Sequence, residues 1–371
     1  MRVLVVNAGS SSLKLSLLDG DDATLEARQL DAPRARVDPD ALSAALSSGL
    51  GDADAVGHRI VHGGERFREA VAIDAGVEGQ LRALVELAPL HQPKSLAALD
   101  AVSEALPQLP AVACFDTAFH MTLSAAASTY ALPAAWRERW HLRRYGFHGL
   151  SHAWVARRAP QLLKRDLQGL RIVSCHLGAG ASLCAIADGV SRDTTMGFTP
   201  LEGLVMATRS GSVDPGMLLW LLEREELSPQ EMNGALEHQS GLLALAGSAN
   251  MREIVERAAT DDESDVGRRA RLALEVYVHR LRAGIAAMTA ALGGLDALVF
   301  TGGVGERSAA VREQAAAGLA FLGVELDGAR NAAAQGDAEI SADGSSVSTL
   351  VITAREDLEI ARQVRAVLRK I

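Results

Sequence analysis

Residues 3–20 (VLVVNAGSSSLKLSLLDG) and 172–189 (IVSCHLGAGASLCAIADG) follow one pattern, starting at 3 and at 172, a displacement of 169 that needs no gap. It pairs Gly9 with Gly178 and Asp19-Gly20 with Asp188-Gly189. Each copy reads as an apolar strand, a Gly/Ser-rich tight turn, a second strand and an Asp-Gly turn, which is the grammar of a β-hairpin. A turn poor in side-chain bulk leaves backbone N–H groups free to meet phosphate oxygens. Two such turns predict two similar halves, each offering a phosphate loop to a shared cleft.

The composition fits that reading. A chain of 371 residues points to two domains, because single cores stop growing near roughly 250–300 residues. It is 48% hydrophobic and 22% charged, as globular proteins are. A net charge of −9 argues against a general nucleic-acid binder, though not against a local basic pocket. The three cysteines, Cys114, Cys175 and Cys184, lack C-x-x-C spacing and read as buried thiols of a reduced cytoplasm, with no zinc site. No apolar run reaches the roughly 18 residues of a membrane span. The opening MRVLVVNAGSSS mimics a signal peptide, but its apolar stretch is too short and recurs internally, so it is read as structure.

Along the chain, 25–55 is polar and weakly patterned, with a short helix at 42–46. A strand at 55–67 runs into a Gly-Gly turn. Residues 77–88 and 95–106 have helical spacing, separated by a Pro-bracketed loop at 88–95. A buried strand spans 111–120, a long loop 123–150, and a helix 151–159 with Ser151 as N-cap. The Gly/Thr-rich stretch 193–216 is not helical, and such segments tend to be functional. Helices are predicted over 216–258 and 264–293, a strand at 297–303 entering a third Gly turn, a helix at 308–322, and a final strand, turn and helix. Strands alternating with helices in two halves predict two α/β domains, the last helix returning to the first.

Polar clusters close several strands, where α/β folds bind ligands. Asn7, Ser10, Ser11, Ser12 and Lys14 join an amide, small-residue turn donors and a cation. Alone this would equally be a plain hairpin with a solvated lysine; the second copy and Gly302-Gly303-Val304-Gly305 favour phosphate. Arg59 in GHRIVHGG and Arg209 in MATRSGSVDPG sit among small residues, where arginines bind oxyanions bidentately. Asp116 is a turn acceptor or a positioned base. His148 precedes Gly149 and His176 lies in the second turn, without metal-ligand spacing. Glu356 and Asp357 either coordinate Mg²⁺ beside phosphates or simply favour a helix N-terminus.

At these residues the chain resembles the acetate kinase family, within the acetate and sugar kinase/Hsp70/actin superfamily. The matching blocks are VLVVNAGSSSLK (3–14), GHRIVHGGE (57–65), CFDTAFH (114–120), RRYGFHGLSHAWVA (143–156), HLGAGAS (176–182), DTTMGFTPLEGLVMATRSGSVDPG (193–216), FTGGVGERS (300–308) and REDLEIAR (355–362). They run in the family's order from end to end.

The resemblance implies an α/β fold of two duplicated ribonuclease H-like (actin-like ATPase) domains around a central cleft, 1–118 with 355–371 and 119–354. It implies reversible phosphoryl transfer from ATP to acetate, and also to propionate, giving acyl phosphate and ADP. By position, Asn7 and Glu356 resemble the Mg²⁺ contacts, with Mn²⁺ able to substitute. Lys14 and Ser12 resemble residues that reach the nucleotide phosphates. Arg59 resembles the substrate-binding arginine, Asp116 the catalytic acid/base that orients the carboxylate, and His148 and Arg209 the transition-state stabilisers. Val61, Leu90, Phe147 and Pro200 match the pocket for the acyl methyl. His176, Leu177, Gly178, Ala179 and Gly180, then Asn250, Met251 and Arg252, then Gly303, Val304, Gly305, Glu306 and Arg307 resemble nucleotide-contacting segments. A cytoplasmic homodimer is implied, with neither nucleic acid nor membrane as partner.

The chain departs from the family's usual LGNG at Ala179, from Asp at Asn250, from Asn at Arg307 and from Gly at Ala207. It is also shorter between 20 and 55. The four substitutions fall on the nucleotide side, so pyrophosphate or another donor stays open, as does a non-catalytic actin/Hsp70-like switch.

Physics agrees with the implied chemistry. A carboxylate attacking an anionic phosphoryl group meets repulsion, which cations on the equatorial oxygens counter. With a pKa near 4 the nucleophile is already ionised at neutral pH.

Overall fold

The computed structural model describes residues 1–9, 12–31, 38–87, 92–224, 227–260 and 264–371. The chain forms two units. One comprises 1–121, 147–154 and 355–371, the other 122–146 and 155–354.

The first unit contains β1 (Val3–Ala8), β2 (Ser12–Leu18), β3 (Thr24–Asp31), β4 (Ala55–Ile60), β5 (Val71–Ala72) and β6 (Ala111–Phe115). They form one mixed sheet in the order β3-β2-β1-β4-β6-β5. The central strands β1, β4 and β6 are parallel, while β2, β3 and β5 pair antiparallel. The second unit contains β7 (Arg171–Leu177), β8 (Ala181–Ala187), β9 (Val190–Thr194), β10 (Ala297–Thr301), β11 (Ala338–Glu339) and β12 (Ser348–Val351). Its order is β9-β8-β7-β10-β12-β11 when read in the same direction, with the same parallel and antiparallel pairings. β7 and β8 end at the residues that the 169-residue displacement assigns from β1 and β2. Both turns are closed from the paired glycine, Gly9 N–H to Ser12 O at 2.8 Å and, one residue tighter, Gly178 N–H to Gly180 O at 2.9 Å.

The helices are α1 (Pro39–Ala45), α2 (Ala75–Ala83), α3 (Gln92–Ala105), α4 (Ala125–Ser128), α5 (Ala134–Trp140), α6 (Gly149–Leu163), α7 (Pro215–Arg224) and α8 (Pro229–His238). There follow α9 (Gly241–Ala246), α10 (Met251–Ala258), α11 (Asp265–Leu292), α12 (Gly302–Arg307), α13 (Ala309–Ala317), α14 (Gly328–Ala333) and α15 (Glu356–Leu368).

Alternation along β1 sorts the first core into two layers. Leu4 and Val6 pack with Leu42, Ala98 and Val102 of α1 and α3. Val3 and Val5 pack with Leu358, Ile360 and Val364 of α15. Each of those α15 side chains stabilises by roughly 1.5–3 kcal/mol on burial. The last helix thus returns to the first sheet. In the second unit α11 crosses β7, β8 and β9, capped by the Ser264 hydroxyl and ended by left-handed Gly293. No helix among the described residues is long and apolar enough to cross a membrane. All three cysteines are buried and free, and burial pushes their thiols up.

Several expectations need correction. The stretch 25–55, read as polar and weakly patterned, opens with edge strand β3 (Thr24–Asp31), whose exposed polar side chains hide the period. Residues 92–95, read as loop, begin α3, because Pro93 sits in a first turn that needs no N–H from it. The strand expected to reach 120 ends at Phe115 and turns into a short 3₁₀ segment, Ala118–Thr122. The stretch 123–150 contains α4 and α5. Ser151 is not the N-cap of α6, which starts at Gly149, whose N–H donates to Asp116 O at 2.9 Å. The third Gly turn is the single residue Gly302, at φ +76°, leading directly into α12.

Candidate active site

In the first unit the three parallel strands deliver three polar residues at their carboxyl ends. Asn7 lies near the end of β1, Arg59 near the end of β4, and Asp116 one residue beyond β6. The start of α15 adds Glu356. The four form one chain of hydrogen bonds. Glu356 Oε2 accepts from Asn7 Nδ2 at 3.0 Å, and Asn7 Oδ1 accepts from Arg59 NH1 at 3.0 Å. Arg59 NH2 donates to Asp116 Oδ2 at 2.6 Å, and its Nε lies 3.2 Å from both carboxylate oxygens. Asp116 is 1% exposed. Burial pushes its carboxyl above the ordinary value; the Arg59 charge and hydrogen bond pull it down, the Glu356 charge pushes it up, and the His148 backbone N–H pulls it down. The Arg59 guanidinium is raised and stays charged: burial opposes that rise, while the charges of Asp116 and Glu356 outweigh it.

The loop before α6 is built against this group. His148 has left-handed backbone at φ +56°, and Gly149 follows with its amide on Asp116 O. A Cβ on Gly149 would stand 2.1 Å from that oxygen, so no other residue permits the approach. Phe147 is buried, its ring edge-on to His62 at 5.6 Å. Val61 is half-buried after β4, Ser12 is half-buried and opens β2, and Lys14 is exposed opposite Asn7. Leu90, Ser10 and Ser11 lie outside the described residues.

In the second unit His176 and Leu177 end β7, and Gly178, Ala179 and Gly180 form the turn, Ala179 exposed at its tip. Ala179 O accepts from Ala207 N–H at 3.1 Å, tying the turn to the Arg209 loop through two of the substituted positions. That loop closes on itself, Met206 N–H to Arg209 O at 3.2 Å. It rests against Gly241, where a Cβ would fall 2.2 Å from Met206 O. Arg209 Nε donates to Glu237 Oε2 at 2.7 Å, and among the described residues NH1 meets only the Met206 sulfur at 4.0 Å. Pro200 is buried. Asn250 caps α10, accepting from Arg252 N–H at 3.0 Å; Met251 is buried and exposed Arg252 pairs with Glu256. Gly303, Val304, Gly305, Glu306 and Arg307 form α12, with Gly303 and Arg307 exposed and Glu306 accepting from Ala354 N–H at 3.0 Å.

Sequence reading missed two features. Glu237 gives no signal, since an acid in an amphipathic helix normally faces water. The cluster of Arg144, Glu202 and Tyr130 clamps 195–202: Arg144 NH2 and Tyr130 OH donate to the two oxygens of Glu202 at 2.7 and 2.5 Å. Arg144 NH1 also donates to Thr195 O and Met196 O. Both charged members lie inside matched blocks, which was the available hint.

Two copies of one six-stranded mixed sheet, with polar residues at the ends of the parallel strands, define the class of duplicated actin-like ATPase folds. Within it the chain belongs to the acetokinase family, whose model matches residues 39–362. It is 46% identical to an acetate kinase of Leifsonia xyli over 97% of each chain. It is 39% identical to one of Acetivibrio thermocellus over the whole of both. Among solved structures, the acetate kinase of Porphyromonas gingivalis matches with a TM-score of 0.89 and 36% identity over 99% of each chain. A propionate kinase of Francisella tularensis matches with 0.89 and 34% over 98% of each. The family consists of phosphotransferases that act on a carboxyl group with ATP and ADP as substrates. These relatives favour neither the pyrophosphate reading nor the non-catalytic switch.

Proposed function

We propose that this chain transfers the γ-phosphoryl group of ATP reversibly to acetate, and to propionate, forming acyl phosphate and ADP. The observation that carries the reading is the linked array Glu356–Asn7–Arg59–Asp116 at the ends of β1, β4 and β6, in a member of the acetokinase family.

Of the five guanidinium N–H groups of Arg59, Nε and one on NH2 engage Asp116 and one on NH1 engages Asn7. One N–H on each terminal nitrogen remains for the substrate carboxylate. Asp116 orients Arg59 and the acid, and no strong base is needed because the nucleophile arrives ionised. His148 and Arg209 donate to the equatorial phosphoryl oxygens as charge develops there. Val61, Phe147, Leu90 and Pro200 receive the acyl methyl. One methylene changes affinity by only about 1–3 kcal/mol, so propionate is turned over as well.

Glu356 suits Mg²⁺, which takes one or two carboxylates and completes its shell with phosphate oxygens and water. Asn7 already gives Oδ1 to Arg59 and Nδ2 to Glu356, so it orients that carboxylate as much as it ligates. When bound, the ion neutralises phosphate charge; Mn²⁺ would serve the same donors. Lys14, Ser12, and the segments 176–180, 250–252 and 303–307 hold the nucleotide. The two actin-like domains run over 1–118 with 355–371 and over 119–354, the second being the nucleotide-binding one.

Met217, Leu219 and Trp220 of α7 are large, exposed and apolar, which supports burial in a homodimer. A cytoplasmic enzyme, with neither nucleic acid nor membrane as partner, fits ATP as donor. Replacing Arg209 with Ala tests the catalytic assignment: kcat should fall by about 10³-fold or more, since arginines facing a transferring phosphoryl group carry that much. Wild-type turnover would refute it.

A further inference from the structure

Resting on the role of Arg209 above, we propose that Glu237 is its positioning residue, holding the guanidinium by one edge so that both terminal nitrogens face the phosphoryl oxygens. The side chain of Glu237 is 5% exposed, against 21% for Arg209. A carboxylate withdrawn this far from water needs a strong partner, and Arg209 Nε supplies one at 2.7 Å. The contact uses only Nε. NH1 touches a thioether sulfur, and NH2 has no hydrogen-bond partner among the described residues. That is the opposite of Arg59, whose Nε, NH1 and NH2 are all engaged.

The backbone around Glu237 reinforces the placement. Thr208 Oγ1 donates to Glu237 O at 2.9 Å, and Ser210 N–H donates to Leu236 O at 3.1 Å. Ser240 N–H donates to Thr208 O at 2.9 Å. The end of α8 therefore grips the loop on both sides of Arg209 while the Glu237 carboxylate grips the side chain. An arginine with four flexible torsions is fixed through Nε by one neighbour, and apart from the weak Met206 contact the N–H groups of both terminal nitrogens stay available for oxyanions.

The test is steady-state kinetics on E237A, E237Q, E237D, R209A and the double variant R209A/E237A, with thermal melting of each. Misplacing a reacting group by about 1 Å costs on the order of 10²-fold. E237A should lower kcat by about 10–100-fold and leave the KM for acetate within about twofold. E237Q keeps an acceptor oxygen at the same reach and should recover most of kcat. E237D keeps the charge but falls short, and should behave like E237A. In the R209A background E237A should add no further loss. Wild-type kcat in E237A, E237D outperforming E237Q, or a full E237A loss persisting in R209A would each overturn the positioning role while leaving the acyl-transfer reading intact. Unimpaired turnover in R209A would overturn both the positioning role and the catalytic assignment of Arg209 on which it rests.

Discussion

Arg59 meets Asp116 side-on, with NH2 2.6 Å from Oδ2 and Nε 3.2 Å from both carboxylate oxygens. The pair joins two neighbouring parallel strands just where they end. Neither partner is free to wander: Asp116 is also held by the Ile60 carbonyl at its amide and by Gly149 at its own carbonyl. The cation that receives the acid is therefore fixed before substrate arrives, so little ordering remains at the moment of binding.

Removing Arg59 should harm both stability and turnover. R59A leaves a buried carboxylate unpaired, which costs about 3–5 kcal/mol. R59K keeps the charge but loses the planar fork, so it should fold better than R59A yet bind acetate weakly. Urea titration and the KM for acetate separate the two effects. Equal stability of R59A and wild type would contradict the pairing.

Acid should switch turnover off earlier than an ordinary aspartate would. Burial is the largest influence on Asp116 and raises its carboxyl above 3.8. A raised value means the proton is taken up sooner as pH falls, and protonation breaks the grip on Arg59. The acid limb of kcat/KM should thus lie above the ordinary range. In D116N that limb should vanish, leaving only the titration of acetate itself. An unchanged limb in D116N would rule out Asp116 as its source.

Three buried histidines should make the fold acid-sensitive. Burial lowers His58, His62 and His120 from 6.5 to about 4. Between those values the unfolded chain binds protons that the folded one does not, so stability is lost as pH falls from 6.5 toward 4. Each group contributes up to about 1.4 kcal/mol per pH unit. Neither ring nitrogen of His58 has a hydrogen-bond partner among the described residues, and H58L should flatten the profile by one group's share. Denaturant midpoints measured between pH 7.5 and 5 check this, and a slope that H58L leaves unaltered would exclude His58.

Gly149 should tolerate no side chain. The 2.1 Å approach of an added Cβ to Asp116 O involves backbone, which cannot swing aside. G149A should displace His148 and Asp116 together and lower kcat/KM by on the order of 10²-fold. Activity within twofold of wild type would show that the loop has slack.

The hairpins were legible because a strand, a small-residue turn and a second strand are local in sequence; their edges fell where the repeat put them. Arg59, Asp116 and Asn7 stood out as polar residues closing apolar strands. Their mutual contacts did not, since residues 7, 59, 116 and 356 meet only through sheet order. The start of α6 was misread because its first amide is satisfied by Asp116 O, a distant carbonyl that does the work expected of Ser151. Glu237 was silent for a similar reason: nothing in α8 itself distinguishes a buried acid from a solvated one.

The most direct test is trapping of acyl phosphate as its hydroxamate by the purified chain, with ATP and Mg²⁺ and with acetate, propionate or butyrate, pyrophosphate replacing ATP in a parallel series. Hydroxamate should accumulate with ATP and acetate, and with propionate, in step with ADP release. ADP-independent or absent hydroxamate with every acid would contradict phosphoryl transfer to a carboxylate at this site.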